Sequence, residues 1–328
     1  MSRRALAFAL LLSLCVLAGG AAVVVAALRG GSVNADASVL TADLDVLPST
    51  SRILVRGVDP SSPRLNGVIE RLHPDTGSSA KVGSGLACER FDLAAGHGVC
   101  LAVAASGVDY VARMFDRDFR LTGGLPLTGL PSRVRVSPDG RYAAVTVFAT
   151  GHSYTTPGQF STRTDLIHPG SGARIADLEA FRVTRNGSTI HAIDFNFWGV
   201  TFEQDSDRFY ATLATGNHHY LVRGSVRDRI ARVVADDVEC PSLSPDNRQI
   251  GFKQPLGGGR WRFSVLDLAT GKRWPLAEER SIDDQVEWLD NERLLYGDGT
   301  AVWVVRADGR GTPVRVASNA DSPVVVAR

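Results

Sequence analysis

The turn Ser137-Pro138-Asp139-Gly140, followed by Arg141-Tyr142-Ala143-Ala144-Val145, recurs in degenerate form at Ser244-Pro245-Asp246-Asn247, followed by Arg248-Gln249-Ile250-Gly251-Phe252. In each copy Pro fixes φ, Gly or Asn accepts a positive φ, and the flanking apolar runs read as the two strands of a hairpin. Weaker copies stand at Leu93-Ala94-Ala95-Gly96 before Val99-Cys100-Leu101, at Gln204-Asp205-Ser206-Asp207 before Tyr210-Ala211-Thr212, and at Trp288-Leu289-Asp290-Asn291 before Leu294-Leu295-Tyr296. The turn centres fall at 95, 139, 206, 246 and 290, in steps of 44, 67, 40 and 44. A period of this size is one four-stranded blade of a β-propeller. The long step is then a blade with an insertion. A sixth copy is placed near Thr50-Ser51-Arg52, 45 residues before Ala95, with Ile53-Leu54-Val55 after it. The expectation is six blades over residues 50–328.

A second signature recurs later in the units: a strand that runs into an Asp or His-Pro turn closed by Gly. It is seen at Val265-Leu266-Asp267-Leu268-Ala269-Thr270-Gly271-Lys272, at Glu70-Arg71-Leu72-His73-Pro74-Asp75-Thr76-Gly77 and at Trp303-Val304-Val305-Arg306-Ala307-Asp308-Gly309. These read as the turns between third and fourth strands. Ser322-Pro323-Val324-Val325-Val326 is one further strand without a turn partner after it. It is expected to pair into the first blade and close the ring, which removes the exposed edges of an open sheet.

A net charge of +1 over 328 residues argues against nucleic acid as a partner, and 44% hydrophobic content suffices for a core. The 33 glycines suit turn-rich β structure. Ala5 to Leu28 breaks the globular pattern: 24 residues without a charge, preceded by Arg3-Arg4 and followed by Arg29. That length spans a bilayer, and the basic flank favours a cytoplasmic N-terminus with the rest of the chain outside. Residues 1–31 are therefore expected to form a cytoplasmic N-terminus and transmembrane signal-anchor, 32–49 a tether, and 50–328 the extracytoplasmic propeller of a single-pass cell-membrane protein. Ala35-Asp36-Ala37 offers a small-residue cleavage site, so a cleaved, secreted form is the alternative. Leu14 stands where a lipoprotein would need a small residue before Cys15, and the Ser2-Arg3-Arg4 start is followed by too long an apolar region for a twin-arginine signal.

Outside the cytoplasm disulfides persist, and Cys88 and Cys100 fall on the two strands of one hairpin. If the turn centres near Gly96-His97, Cys100 faces a residue near Leu93, and a bridge needs a bulge or a displaced turn. Bridged and unbridged forms both stay open at this stage, with Cys240 a buried free thiol.

The insertion, Ala149 to Thr164, crowds Gly, Ser, Thr, Tyr, His and Arg together, as a polar binding loop does. Its candidate contact residues are His152, Ser153, Tyr154, Phe160 and Arg163. The bland alternative is a solvated hairpin whose hydroxyls cap backbone groups. Gly151-His152-Ser153-Tyr154-Thr155 approximates a nucleophile elbow, but Thr occupies the last Gly position and no strand-to-helix context surrounds it. No catalytic residue, metal site or cofactor is expected. Adjacent His218 and His219 point to opposite faces of a strand and cannot share one metal, even with His152 or His191 nearby. Asp236-Asp237 and Asp283-Asp284 precede innermost strands, where they either serve turns or offer a cation or basic peptide a site at the channel mouth. Phe195-Asn196-Phe197-Trp198-Gly199-Val200-Thr201-Phe202 reads as packing between blades, and Asn186-Gly187-Ser188, formally a glycosylation sequon, reads first as a hairpin turn.

The Ser-Pro-Asp-Gly turns, the Asp267-to-Lys272 turn and the six-unit count together resemble the TolB-like propeller family. Gly151-His152-Ser153-Tyr154, Phe160-Ser161-Thr162-Arg163-Thr164, Phe197-Trp198-Gly199-Val200-Thr201-Phe202, Arg208-Phe209-Tyr210-Ala211-Thr212 and Val238-Glu239-Cys240-Pro241-Ser242-Leu243-Ser244-Pro245-Asp246 are similar to an actinobacterial membrane-anchored group of such proteins. The resemblance covers roughly residues 50–328. It implies an all-β, six-bladed TolB-like propeller preceded by one transmembrane helix, and it supplies no catalytic residues. TolB binds partner proteins of an envelope complex and carries an α/β domain that has no matching stretch here, so its partners do not carry over. The functional expectation is a non-enzymatic, membrane-tethered interaction module whose partner is an envelope protein, a peptide or a cell-wall ligand. The alternative is a propeller hydrolase or lactonase holding a metal in the central channel, which would require inward-facing carboxylates such as Glu89, Glu239 and Glu287 to converge.

Overall fold

The computed structural model describes Leu47 and residues 52–59, 61, 66–83, 86–149 and 161–326. The expected transmembrane segment, the tether apart from Leu47, and His152, Ser153, Tyr154 and Phe160 lie outside these. Among the described residues no helix is long and apolar enough to cross a membrane.

The described residues fold as six sheets in ring order, antiparallel throughout except for one parallel pairing in the fourth. β1 (Ile53–Gly57), β2 (Ile69–Leu72) and β3 (Ser79–Lys81) begin the first. The second runs outward as β4 (Arg90–Ala94), β5 (His97–Val103), β6 (Tyr110–Asp116) and β7 (Leu121–Leu127). The third is β8 (Leu130–Val136), β9 (Ala143–Phe148), β10 (Thr162–Ile167) and β11 (Arg174–Asp177). A short hairpin follows, β12 (Arg182–Arg185) and β13 (Ser188–Ile190). The fourth sheet is built on β14 (Asn196–Phe202), β15 (Arg208–Thr215), β16 (His218–Ser225) and β17 (Ile230–Asp236). The fifth is β18 (Glu239–Leu243), β19 (Gln249–Gly257), β20 (Arg260–Asp267) and β21 (Arg273–Pro275), and the sixth β22 (Glu287–Trp288), β23 (Arg293–Gly297), β24 (Ala301–Arg306) and β25 (Val314–Ser318).

Last comes β26 (Ala320–Val325), which returns to the first sheet and pairs antiparallel with β1, Ile53 facing Val325 and Leu54 facing Val324. The innermost strand of the first blade is thus the C-terminal one, and the ring closes as the unpartnered final strand led one to expect. It also explains the sixth repeat copy: Ile53-Leu54-Val55 is a second strand whose inner neighbour comes from the other end of the chain.

The repeated turns join first to second strands, and their residue types do local work. Ser137 Oγ accepts the Tyr142 N–H at 2.9 Å while Asp139 Oδ1 accepts the Arg141 N–H at 3.0 Å. Ser244 Oγ and Asp246 Oδ1 repeat this at Gln249 (2.9 Å) and Arg248 (3.1 Å). Gly140 and Asn247 take the left-handed φ, 72° and 60°, that each turn needs. Burial falls from axis to rim: β18 and β9 are buried throughout, whereas β7 is mostly exposed. The apolar cores therefore lie between blades. Phe197, Val200 and Phe202 pack with Ala144 and Leu166 of the third blade and Phe209 and Leu213 of the fourth, which is the inter-blade role read from the aromatic run.

One element departs from the sequence reading. The 67-residue step was assigned to an insertion over 149–164, but part of the extra length is the β12–β13 hairpin. β12 pairs in parallel with β17, Arg182 facing Ile230 and Thr184 facing Arg232, so the fourth sheet has six strands. Asn186 (φ 51°) and Gly187 (φ 81°) make its turn, as the Asn-Gly reading requires.

The second blade's hairpin turns tightly at Ala95-Gly96, so Cys100 faces Phe91, not a residue near Leu93. Cys88 lies beyond the ladder, drawn toward the first blade where its N–H donates to Gly67 O at 2.8 Å and Ala87 bridges Val68. In this displaced position its Cα is 5.3 Å from that of Cys100, and the two sulfurs are bonded. Cys240 is a buried free thiol, and burial raises its pKa.

Candidate functional site

Each innermost strand begins on one face of the ring and runs to the turns on the other. Residues at those beginnings therefore share one end of the central channel. They include Arg90 on β4, Glu239 on β18, and Asp283 and Asp284 just before β22, while Arg133 lies midway along β8 and Arg135 near the far end of that strand. The second-to-third strand connection of the third blade opens on the same face, because Phe148 and Thr162, which border it, pair with each other and Phe148 also pairs with Leu130 at the start of β8. The strand ends that border the candidate loop and the charged channel mouth thus belong to one face.

The channel is crossed by the protein's own ion pairs. Arg135 Nη1 donates to Glu287 Oε2, joining the third blade to the sixth on the opposite side of the ring. Arg133 Nη2 approaches Asp283 Oδ1 at 3.5 Å, and Lys253 of the fifth blade donates to the same carboxylate while its ammonium sits 4.2 Å from the centre of the Trp261 ring. Burial alone would raise Asp283, but Lys253 and Arg133 reverse this and hold it below the usual carboxylate range. Burial disfavours the Arg135 charge as well, yet Glu287 and Asp92 outweigh it and raise its pKa.

Three further carboxylates are tied to backbone. Asp92 accepts from Leu93 N at 2.9 Å and from Val136 N at 2.6 Å, linking the second and third blades. Asp284 accepts from Gly297 N at 2.8 Å, and Asp321 from Gly299 N at 3.2 Å. Burial, with Asp321 adding to it against Arg133 and Arg90, pushes Asp284 up to about 6. Among these groups a narrow cavity of about 40 Å³ remains, lined by Arg90, Arg133, Arg135, Asp92, Asp284 and Ser322 with the apolar walls of β4 and β26.

The three glutamates that a channel metal would need do not converge. Glu89 pairs with Arg56 at 3.6 Å, Glu239 with His219 Nδ1 at 2.9 Å, and Glu287 with Arg135. Among the described residues no group of three or more His, Cys, Asp or Glu is placed to hold a metal ion. His218 stacks on Tyr220 at 6.0 Å and His219 meets the Trp198 edge at 5.5 Å, so the adjacent histidines do face different surroundings.

Of the loop candidates, Arg163 alone is described. It lies on β10, 3.4 Å from Asp165 and 3.6 Å from Asp177, and these carboxylates also hold Arg174. Its charge is matched inside its own blade, a fact invisible in the sequence because Asp177 belongs to the next strand. Asp236 pairs with Arg185 of the added hairpin at 3.1 Å and Asp237 takes a turn conformation at φ 52°, whereas Asp283 and Asp284 face the channel. Sequence reasoning missed the channel arginines: Arg90, Arg133 and Arg135 all lie on inner strands, Arg90 at the start of β4 and the other two along β8, and that placement was their one legible signal.

Fold and channel together define a six-bladed β-propeller. TolB from Acinetobacter baumannii superposes with a TM-score of 0.58 at 16% identity, over 84% of this chain and 67% of that one. A chain of the nidogen/laminin complex superposes at 0.53 with 14% identity, over 84% and 98%. At these identities the likeness is one of fold. The periplasmic gluconolactonase of Pseudomonas aeruginosa reaches only 0.46 at 14% identity, over 85% and 99%, and bears neither for nor against a lactonase. No family model matches the chain, and no curated protein matches it in sequence.

Proposed function

We propose that this propeller is a non-enzymatic interaction module of the cell envelope, of the actinobacterial membrane-anchored kind, presenting the channel-mouth face to a protein or peptide partner. The observation that carries this reading is the Arg135–Glu287 pair, which spans the channel and obstructs passage along it, so that a ligand meets the face and reaches no farther than the small cavity at its mouth. The uncharged stretch from Ala5 to Leu28 has the length of a membrane anchor, and the Cys88–Cys100 bond suits an oxidising extracytoplasmic compartment. His152, Ser153, Tyr154 and Phe160 belong to a segment whose flanking strands end on the same face, which makes them the proposed contacts, with Arg163 shaping the blade beneath.

A photo-reactive amino acid placed at Tyr154 in intact cells tests this. Asp308, in a third-to-fourth strand turn on the other face, is the control. A discrete protein adduct at Tyr154 and none at Asp308 is the expected result. Equal labelling at both positions, or none at Tyr154, removes the loop as a protein contact and returns attention to hydrolase or lactonase chemistry in the channel.

A further inference from the structure

Hydrogen-bond donors outnumber acceptors in the channel-mouth cavity. Arg90 uses Nη1 for Glu89 O at 2.9 Å, and its buried Nε has no hydrogen-bond partner. Among the described residues it makes no ion pair within 4.0 Å, whereas Arg133 and Arg135 of the same cavity each do. Arg135 Nε is likewise buried without a partner although its Nη1 serves Glu287. An unsatisfied buried donor on a charged group is costly, so two of them lining one cavity mark a place for an acceptor-rich guest.

The neighbouring acids do not supply that guest. Both Asp92 oxygens are taken by backbone N–H groups, and Asp284 serves Gly297 N. Burial and the adjacent Arg133 lower the Arg90 pKa despite Asp284 and Asp321, so the guanidinium sits in an under-compensated position. The cavity's size and charge narrow the chemistry further. About 40 Å³ has room for about three water-sized centres, enough for a carboxylate group. A doubly charged phosphate would face the Asp92 and Asp284 carboxyls at close quarters, whereas a planar monoanion matches the forked guanidinium donors.

We propose that Arg90, with Arg135 beside it, forms a carboxylate-binding site at the mouth of the channel, which receives an acidic side chain or a terminal carboxylate of a peptide partner. The site deepens the binding-module reading and rests on its choice of face. It is tested without the partner, so its failure leaves the Tyr154 crosslinking result standing, and failure of the crosslink leaves the site standing.

The experiment is a saturation-transfer NMR titration of the full-length protein in detergent with acetate, against methylammonium, at constant ionic strength in sodium chloride. Acetate is expected to bind saturably with a Kd of about 1–10 mM, methylammonium not at all. Arg90→Gln should weaken acetate at least about tenfold, and Arg90→Lys, which keeps charge but loses the fork, should fall between. Acetyl-Ala-Ala with a free terminus and acetyl-Asp-amide then separate the two carboxylate sources, the tighter one naming the partner chemistry. No saturable acetate binding up to about 50 mM, equal binding of methylammonium, or an unchanged Arg90→Gln affinity overturns the proposal. Should Arg90→Gln fail to fold, the acetate-against-methylammonium comparison on the wild type still decides it.

Discussion

Arg135 on β8 and Glu287 on β22 form a buried ion pair across the channel although 152 residues separate them in the chain. Each is also tied elsewhere: Glu287 Oε1 accepts from Val325 N of the closing strand at 3.3 Å, while Arg135 feels the Asp92 carboxyl of the second blade. The pair therefore couples the third and sixth blades to the seam where the ring closes.

Breaking one side of this pair should cost more than removing both. Glu287→Gln leaves a desolvated guanidinium uncompensated and is expected to destabilise by about 3 kcal/mol, whereas Arg135→Met with Glu287→Leu should recover most of that loss. Urea unfolding of the three proteins checks this. A double variant no more stable than Glu287→Gln would mean that the pair is not the main partner of either charge.

The fold was legible where chemistry is local. Ser137, Asp139 and Gly140 act on residues within five positions, so blade number, turn placement and the ring-closing strand could be read from the chain. The added hairpin was only half legible. Asn186-Gly187 announced a turn, but the parallel pairing of β12 with β17 depends on a strand beyond four intervening ones. The channel was least legible, because Arg133 meets Asp283 and Arg135 meets Glu287 only after the ring has closed, and no sequence period records which charges face each other across an axis. Arg163 shows the converse: chosen as a contact for its neighbours in sequence, it is engaged by Asp165 and Asp177.

The Cys88–Cys100 bond ties the start of the second blade to its second strand and closes a short loop. Its loss should cost about 3 kcal/mol through the freed unfolded chain. Cys100→Ser is expected to lower the urea midpoint, and peptide mapping without reductant should recover the two cysteines in one linked species, with Cys240 alkylated only after unfolding. Identical midpoints for wild type with and without reductant would contradict the bond's role.

Gly199 sits at a register shift in β14 with φ 61°, and a Cβ placed there would lie 2.5 Å from Cys240 Cα in the neighbouring blade. Backbone against backbone leaves no flexible atom to move. Gly199→Ala should therefore cost about 2 kcal/mol or more, from left-handed strain and lost inter-blade contact together. A Gly216→Ala control, at a turn with φ 54° and open space around it, carries the strain alone and should cost less. Equal losses would show that the contact with Cys240 adds nothing.

Asp284 gives stability a pH dependence of definite sign. Burial, with Asp321 adding to it against Arg133, Arg90 and the Gly297 N–H, pushes its carboxyl up to about 6 in the folded protein, above the ordinary aspartate value of 3.8. Between these values the folded state keeps a proton that the unfolded chain has released. Stability therefore falls as pH rises through this window and levels off above it, by up to about 3 kcal/mol from this group. Asp284→Asn keeps an acceptor for Gly297 but cannot ionise, so its urea midpoint should decline less than the wild type's between about pH 4.5 and pH 7. Glu287 and Asp92, also raised by burial, act in the same direction in both proteins, so the difference between the two curves isolates Asp284. Parallel curves would mean that the Asp284 carboxylate is already ionised in the fold, with Arg133 and Arg90 compensating it fully.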